Sequence, residues 1–323
     1  MNKKQKIFLT NIMIIIMIVS STLAYLITNS SAQTSDKLQI VTTFYPLTYI
    51  TYQIGGEHVE ITQLVPSNTE LHSWEPSASH IKAAENANII FYNGAGADHW
   101  VEDEILPALS NTKNRTIVET TEHLTLIENQ EHTHNENKPD NQHAPDLYDP
   151  HTWTSPYMAK QQAETIYNTL IAVDPQHENY YSQRWQILNQ QFEQLDTAYK
   201  NELSNVSSNI IFVSHGAFGY LAERYGFVQY SVIGLSADEQ PSARTIINII
   251  EEIKEHQIHV LYVDPVYSSS YIKTIQSEVQ TKTGQNVEVL KLYLMLGPQE
   301  GLDYIEQMQT NLYNLQAGLG IGR

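Results

Sequence analysis

Short runs of branched and aromatic apolar residues alternate along this chain with longer stretches whose apolar positions recur every three or four residues. In the first half, runs at 38–43, 59–65, 87–92 and 115–118 predict strands, and helix-like segments begin near Pro46, Ser77 and His99. The second half repeats the rhythm, with strands predicted at 209–214, 228–233, 259–263 and 287–290. Its helix at 242–256 places Ile246, Ile249, Ile250 and Ile253 on one face. Near-continuous apolar strands separated by amphipathic helices predict parallel sheets covered on both sides. Two such halves predict an α/β protein of two lobes.

A long helical stretch at 176–205 joins the halves. Asp174 and Pro175 give it a start signal. Trp185, Leu188, Phe192, Leu195, Tyr199 and Leu203 follow at spacings of three and four. Such a helix would reach roughly 40 Å, enough to run along both lobes as a spine and to resist large hinge motion. The expected organisation is therefore 1–36 as a leader, 37–175 as the first lobe, 176–205 as the linking helix and 206–323 as the second lobe.

Two segments break the pattern. At the N-terminus, Lys3, Lys4 and Lys6 precede an apolar run from Ile7 to Ile27, the order of an export signal or a membrane anchor. Small residues at Ser31 and Ala32 offer a cleavage point, while the length of the run suits a retained anchor. Either places the remainder outside the cytoplasm, at the cell surface or in a periplasm. The second segment, 128–146, is polar and carries His132, His134 and His143 among carboxylates. Lacking apolar content, it reads as a loop, and its histidines suit auxiliary metal binding.

Composition narrows the chemistry. Acidic residues outnumber basic ones 36 to 18, for a formal charge of −18. That excludes a phosphate-neutralising nucleic-acid binder and agrees with a cationic ligand. The chain has no cysteine, so a metal would have to be held by nitrogen and oxygen. It also excludes a lipid-bearing cysteine, which favours the N-terminal segment as the membrane attachment.

Of the thirteen histidines, His58, His80, His123, His177, His256 and His259 read as structural or solvated, without partners. Three others fall in loops. His72 lies beyond the strand ending near Val65, His151 precedes a helix starting near Pro156, and His215 follows the strand at 209–214. Ligands in open α/β sheets bind beyond the carboxyl ends of strands. Three neutral imidazoles plus one further ligand would make a tetrahedral zinc site. The turn Asn93-Gly94-Ala95-Gly96 lacks the lysine and hydroxyl of a phosphate loop and reads as a turn after a strand. Asp98 and His99 are expected to line the cleft or cap the next helix. Trp74, Trp153 and Tyr45 either shield an ion or pack.

Four stretches carry a family resemblance: Thr42-Thr43-Phe44-Tyr45-Pro46-Leu47, Thr69-Glu70-Leu71-His72-Ser73-Trp74-Glu75-Pro76-Ser77, Asp149-Pro150-His151-Thr152-Trp153, and Ser214-His215-Gly216-Ala217-Phe218-Gly219-Tyr220-Leu221. In these the chain resembles the zinc-specific solute-binding proteins of bacterial-type ABC importers, the ZnuA/AdcA-like branch of a cluster that also contains manganese binders. The resemblance runs from about Leu38 to the C-terminus. It implies two lobes of four-stranded parallel sheet joined by a rigid helix, with Zn²⁺ held between them by His72, His151 and His215. It also implies partnership with an ABC permease and its ATPase, a monomeric protein and no enzymatic activity. The manganese binders have a carboxylate at the third position, whereas His215 is a softer nitrogen ligand. One departure is the missing acid near Leu294, where many zinc members carry a fourth ligand. Water is the first choice for that position, with Glu70, Asp264 or a loop histidine as alternatives. Rival readings are a manganese binder or adhesin of the same fold, and a zinc hydrolase, for which no HExxH-type base is present in the sequence.

Overall fold

The computed structural model describes residues 37–110, 114–129, 147–233, 243–267 and 269–320. The N-terminal signal or anchor and the loop histidines His132, His134 and His143 lie outside the described residues. Among the described residues no helix is long and apolar enough to cross a membrane.

Strands β1 (Leu38–Thr42), β2 (Val59–Gln63), β3 (Ile89–Tyr92) and β4 (Thr116–Glu119) form a parallel sheet in the order β2-β1-β3-β4. Helices α1 (Tyr45–Gly55) and α2 (Ala78–Asn86) provide crossovers, and a π-helical turn, Val101–Ile105, follows β3. Every residue of β3 is buried, as a central parallel strand covered on both faces requires. The second half builds a matching sheet from β5 (Ile210–His215), β6 (Val228–Ile233), β7 (Val260–Val263) and β8 (Glu288–Lys291), in the order β6-β5-β7-β8. In each sheet the chain runs outward from the first strand to one neighbour, then crosses to the other side. The crevice at that reversal is where such sheets place ligands.

Between the two sheets in sequence, two helices pack on each other as a hairpin, α3 (Pro156–Val173) and α4 (Glu178–Glu202). Proline opens α3, where its missing N–H costs nothing. The helix α4 is the predicted spine, entered through a 3₁₀ turn at Pro175–His177. Leu188, Phe192, Leu195, Tyr199 and Leu203 are buried, and Trp185 stacks on Tyr167 of α3. Across the spine, Tyr199 donates to Met308 O (2.6 Å) in the C-terminal helix α8 (Tyr304–Gly318). An Asp303–Glu306 capping box starts that helix.

A single apolar core, from Ile40 through Phe192 to Leu319, joins both sheets and the spine. A second cluster fills the far side of the second sheet, under α6 (Ala243–Glu255) and α7 (Ser270–Thr283). Leu38–Arg323 accordingly form one compact unit. Trp153 pins the halves together: its Nε1 donates to Leu294 O (2.9 Å), and its own carbonyl accepts from Tyr304 (2.6 Å). Its ring meets Phe44 edge-on, 4.6 Å between centroids.

Candidate metal centre

His215 is the last residue of β5 rather than the first beyond it, and the ladder there (His215 opposite Ile233) fixes its backbone. His72 comes from the loop after β2, and His151 from the segment leading into the 3₁₀ turn Thr152–Thr154. The three rings converge. The Nε2 of His151 lies 3.2 Å from Nε2 of His72 and 3.2 Å from Nε2 of His215. Among the described residues this is the one group of three or more ligand-type side chains with donor atoms all within 4.8 Å of one another. Zinc–imidazole bonds of about 2.0–2.1 Å in a tetrahedron separate ligand nitrogens by about 3.3 Å. The two edges that meet at His151 therefore match a tetrahedral metal. His151 and His215 are buried, while His72 is half-buried and forms the open side.

The His151 ring is oriented from behind. Asp149 Oδ1 accepts from its Nδ1 (2.8 Å) and from its backbone N–H (3.0 Å). Burial, and then the neighbouring His72, hold the His151 imidazole well below its usual pKa. A neutral ring that donates from Nδ1 presents a lone pair at Nε2, the tautomer a metal requires. Burial also pushes the Asp149 carboxyl up to about 7, against the backbone N–H of His151 and the charge of His72. A bound cation would draw it back toward the carboxylate.

Behind this pair lies a buried amide network. Asn93 donates to Pro150 O (3.0 Å) and accepts from Thr152 (3.3 Å) and from Gln162 Nε2 (2.9 Å). The turn 93–96 thus supports the metal-facing loop. Asp98 neither lines the cleft nor caps a helix. It is fully buried and accepts from Asn93 N, Gly94 N and Thr43 Oγ1. Positive φ at Gly94, Ala95 and Gly96 turns those amides inward onto it. His99 is half-buried beside it.

The two candidate fourth ligands differ. Asp264 follows β7, but its oxygens accept from Val266 N (2.6 Å) and Leu294 N (2.5 Å). Burial pushes its carboxyl up to about 7. Glu70 Oε1 accepts from His72 N (3.0 Å), and its Oε2 is buried with no hydrogen bond. Neither belongs to the converging group.

Of the aromatic candidates, Trp153 reaches the site, 5.2 Å from the His151 ring. Trp74 packs on Trp100 (4.4 Å), and Tyr45 lies near Tyr49 (6.1 Å). Tyr267, not anticipated, flanks His215 at 5.3 Å. Several histidines expected to lack partners have them. His80 completes a capping box with Ser77, and His58 stacks on His177 at 3.7 Å. His177 contacts Asp174 (2.7 Å), and His256 contacts Glu252 (3.2 Å). His123 and His259 are exposed.

Two four-stranded parallel sheets joined by a long helix, with three imidazoles converging, define a two-lobed solute-binding protein. The family described as zinc-uptake complex component A, periplasmic (ZnuA), matches residues 40–318. The chain belongs to that family. It is 31% identical over 296 residues to the high-affinity zinc uptake system protein ZnuA of Bacillus subtilis, covering 90% of each chain. The crystal structure of the Zn(II)-bound ZnuA-like domain of Streptococcus pneumoniae AdcA superposes with a TM-score of 0.72 at 28% identity, covering 88% of this chain and 99% of that one. The laminin-binding protein Lmb of Streptococcus agalactiae, described as a bifunctional protein with adhesin and metal transporting activity, gives 0.74 at 26% identity, with 88% and 99% covered.

Proposed function

We propose that this protein captures Zn²⁺ outside the cytoplasm with His72, His151 and His215 and hands it to an ABC permease driven by its ATPase. The observation that carries this reading is the 3.2 Å separation of the Nε2 atoms, close to the edge of a zinc tetrahedron. A nitrogen at the third position, His215, favours zinc over the harder manganese ion. Water is assigned the fourth position, with Glu70, whose Oε2 is buried without a hydrogen bond, the protein alternative, and Asp264 supporting Leu294. The segment 128–146 is assigned an auxiliary capture role through His132, His134 and His143. Residues 1–36 are assigned to export or anchoring, 37–175 and 206–323 to the lobes, and 176–205 to the linker. The mature protein is taken to be a monomer.

Zinc is cargo here and leaves unchanged. The test is a titration of metal-free protein with zinc, combined with an assay of the loaded protein against a generic ester and a peptide. One tightly held ion and no hydrolysis above buffer is the expected result. Turnover of either substrate would favour the hydrolase reading, and the absence of a tight ion would end both.

Asp149→Asn should lower zinc affinity by about 10- to 100-fold, the usual effect of removing the carboxylate behind a metal-bound histidine. Asparagine still accepts from Nδ1 but brings no charge to raise the basicity of Nε2. Competition with a zinc chelator at neutral pH reads the change, and an affinity equal to wild type would show that His151 needs no such support.

A further inference from the structure

Asp149 and His151 belong to the first half of the chain, yet part of what fixes them comes from the second. Helix α5 (Gly219–Tyr225) presents its first two residues to them. Tyr220, itself buried, donates its hydroxyl to the Asp149 carbonyl at 2.6 Å. The same hydroxyl accepts from Ile127 N at 3.2 Å. Ile127 in turn accepts from Asp149 N (2.8 Å), so the phenol closes a ring of hydrogen bonds around both strands of a short stem. The stem continues outward through the Glu128–Tyr148 bridge and the bond from Asn129 N to Leu147 O (2.8 Å). Gly219 completes the clamp. A β-carbon there would stand 2.3 Å from Asp149 Oδ2, so α5 closes directly on the carboxylate that holds His151. One residue pair before, Ala217 O accepts from Thr154 (3.0 Å), tying down the far side of the same loop.

We propose that Tyr220 and Gly219 are positioning residues that act across the lobes. They set Asp149, and through it the His151 ring, in the ligating orientation, and Tyr220 joins the stem at 127–129 and 147–149 to the metal site. The N-lobe histidine is then fully aligned only while the second lobe is docked on it. This rests on the zinc-binding reading given above.

The test is a double-mutant cycle for zinc affinity with Tyr220→Phe, Asp149→Asn and the pair. Tyr220→Phe keeps the ring and should fold. It should lower zinc affinity roughly tenfold, as loss of an outer-sphere hydrogen bond does, and speed hydrogen exchange at Ile127 and Asn129. Tyr220 holds the backbone carbonyl of residue 149, which asparagine keeps, so the Tyr220→Phe loss should appear in the Asp149→Asn background as well. Gly219→Ala, which pushes on the carboxylate from the other side, should also weaken binding. Wild-type affinity in Tyr220→Phe, or unchanged hydrogen exchange at Ile127, would overturn the proposal. A wild-type protein without one tight zinc would instead overturn the underlying site assignment.

Discussion

Replacing His215 by alanine should cost zinc binding more than any other single change at the site short of its two partner histidines. A complete four-ligand zinc site is worth about 10–16 kcal/mol at neutral pH, so one imidazole accounts for roughly 3 kcal/mol and a hundred- to thousandfold in affinity. The His215 backbone is locked by its place in β5 opposite Ile233, and Gly216 N donates to Ile233 O (3.2 Å). The neighbouring carboxylate Asp264 is occupied by the amides of Val266 and Leu294. His72 and His151 would remain 3.2 Å apart as a two-nitrogen site. Chelator competition measures the affinity directly, and the rise in melting temperature on adding zinc reports the same loss by linkage. The metal-free variant should melt close to the metal-free wild type. An unchanged zinc affinity would remove His215 from the ligand set and with it the nitrogen-only character of the site.

Much of this architecture was legible in the chain because buried parallel strands are written as apolar runs. All eight predicted strands form, seven of them shifted by a residue or two at one or both ends and the one at 228–233 as predicted. The shifts arise because ladder bonds, not side chains, decide where a strand stops: His215 pairs with Ile233 although its imidazole faces the crevice. The spine was legible for a different reason, since an apolar stripe at spacings of three and four from Trp185 to Leu203 has no other stable reading. The convergence of His72, His151 and His215 was not legible from spacing. It depends on how two sheets sit on α4, and the family resemblance supplied it. Contacts made at a distance were hidden altogether. No local signal says that Asp264 will spend an oxygen on Leu294, or that Tyr220 will reach Asp149 O. Asp149 itself carried a usable hint, because an aspartate two residues before a candidate histidine ligand is well placed to hold its Nδ1. The inward turn of Asp98 required left-handed backbone at three successive residues, one of them Ala95, which sequence does not advertise.

That inward turn leads to a large effect on stability. Burial pushes the Asp98 carboxyl up to about 6 from 3.8, against the hydrogen bonds from Thr43, Asn93 and Gly94 that favour the charged form. The folded protein therefore holds a proton at Asp98 over a range in which the unfolded chain has released it. Its contribution to stability is fully present below about pH 3.8 and is lost as pH rises through about 6. The shift corresponds to an effect on the order of 3 kcal/mol. Other groups move with pH as well. Asp264 acts in the same sense, losing its contribution as pH rises through about 7. His151, kept neutral by burial, acts in the opposite sense, since charging the unfolded chain below about 6.5 removes stability. Asp196, drawn down to about 2 by Arg224, Lys200 and Tyr225 in spite of burial, loses its contribution only in strong acid. These terms are common to wild type and Asp98→Asn and cancel in their difference. Metal-free wild type should therefore gain on Asp98→Asn by on the order of 3 kcal/mol between pH 8 and pH 4, nearly all of it between pH 6 and 4. Denaturant unfolding of both proteins across that range measures it. A constant difference would mean that Asp98 stays ionised in the fold, with the turn amides at Asn93 and Gly94 outweighing burial. The turn also carries Asn93, which holds Pro150 O beside His151. A variant that loosens it at neutral pH should weaken zinc binding as well, whereas one that only alters titration should leave the affinity in place.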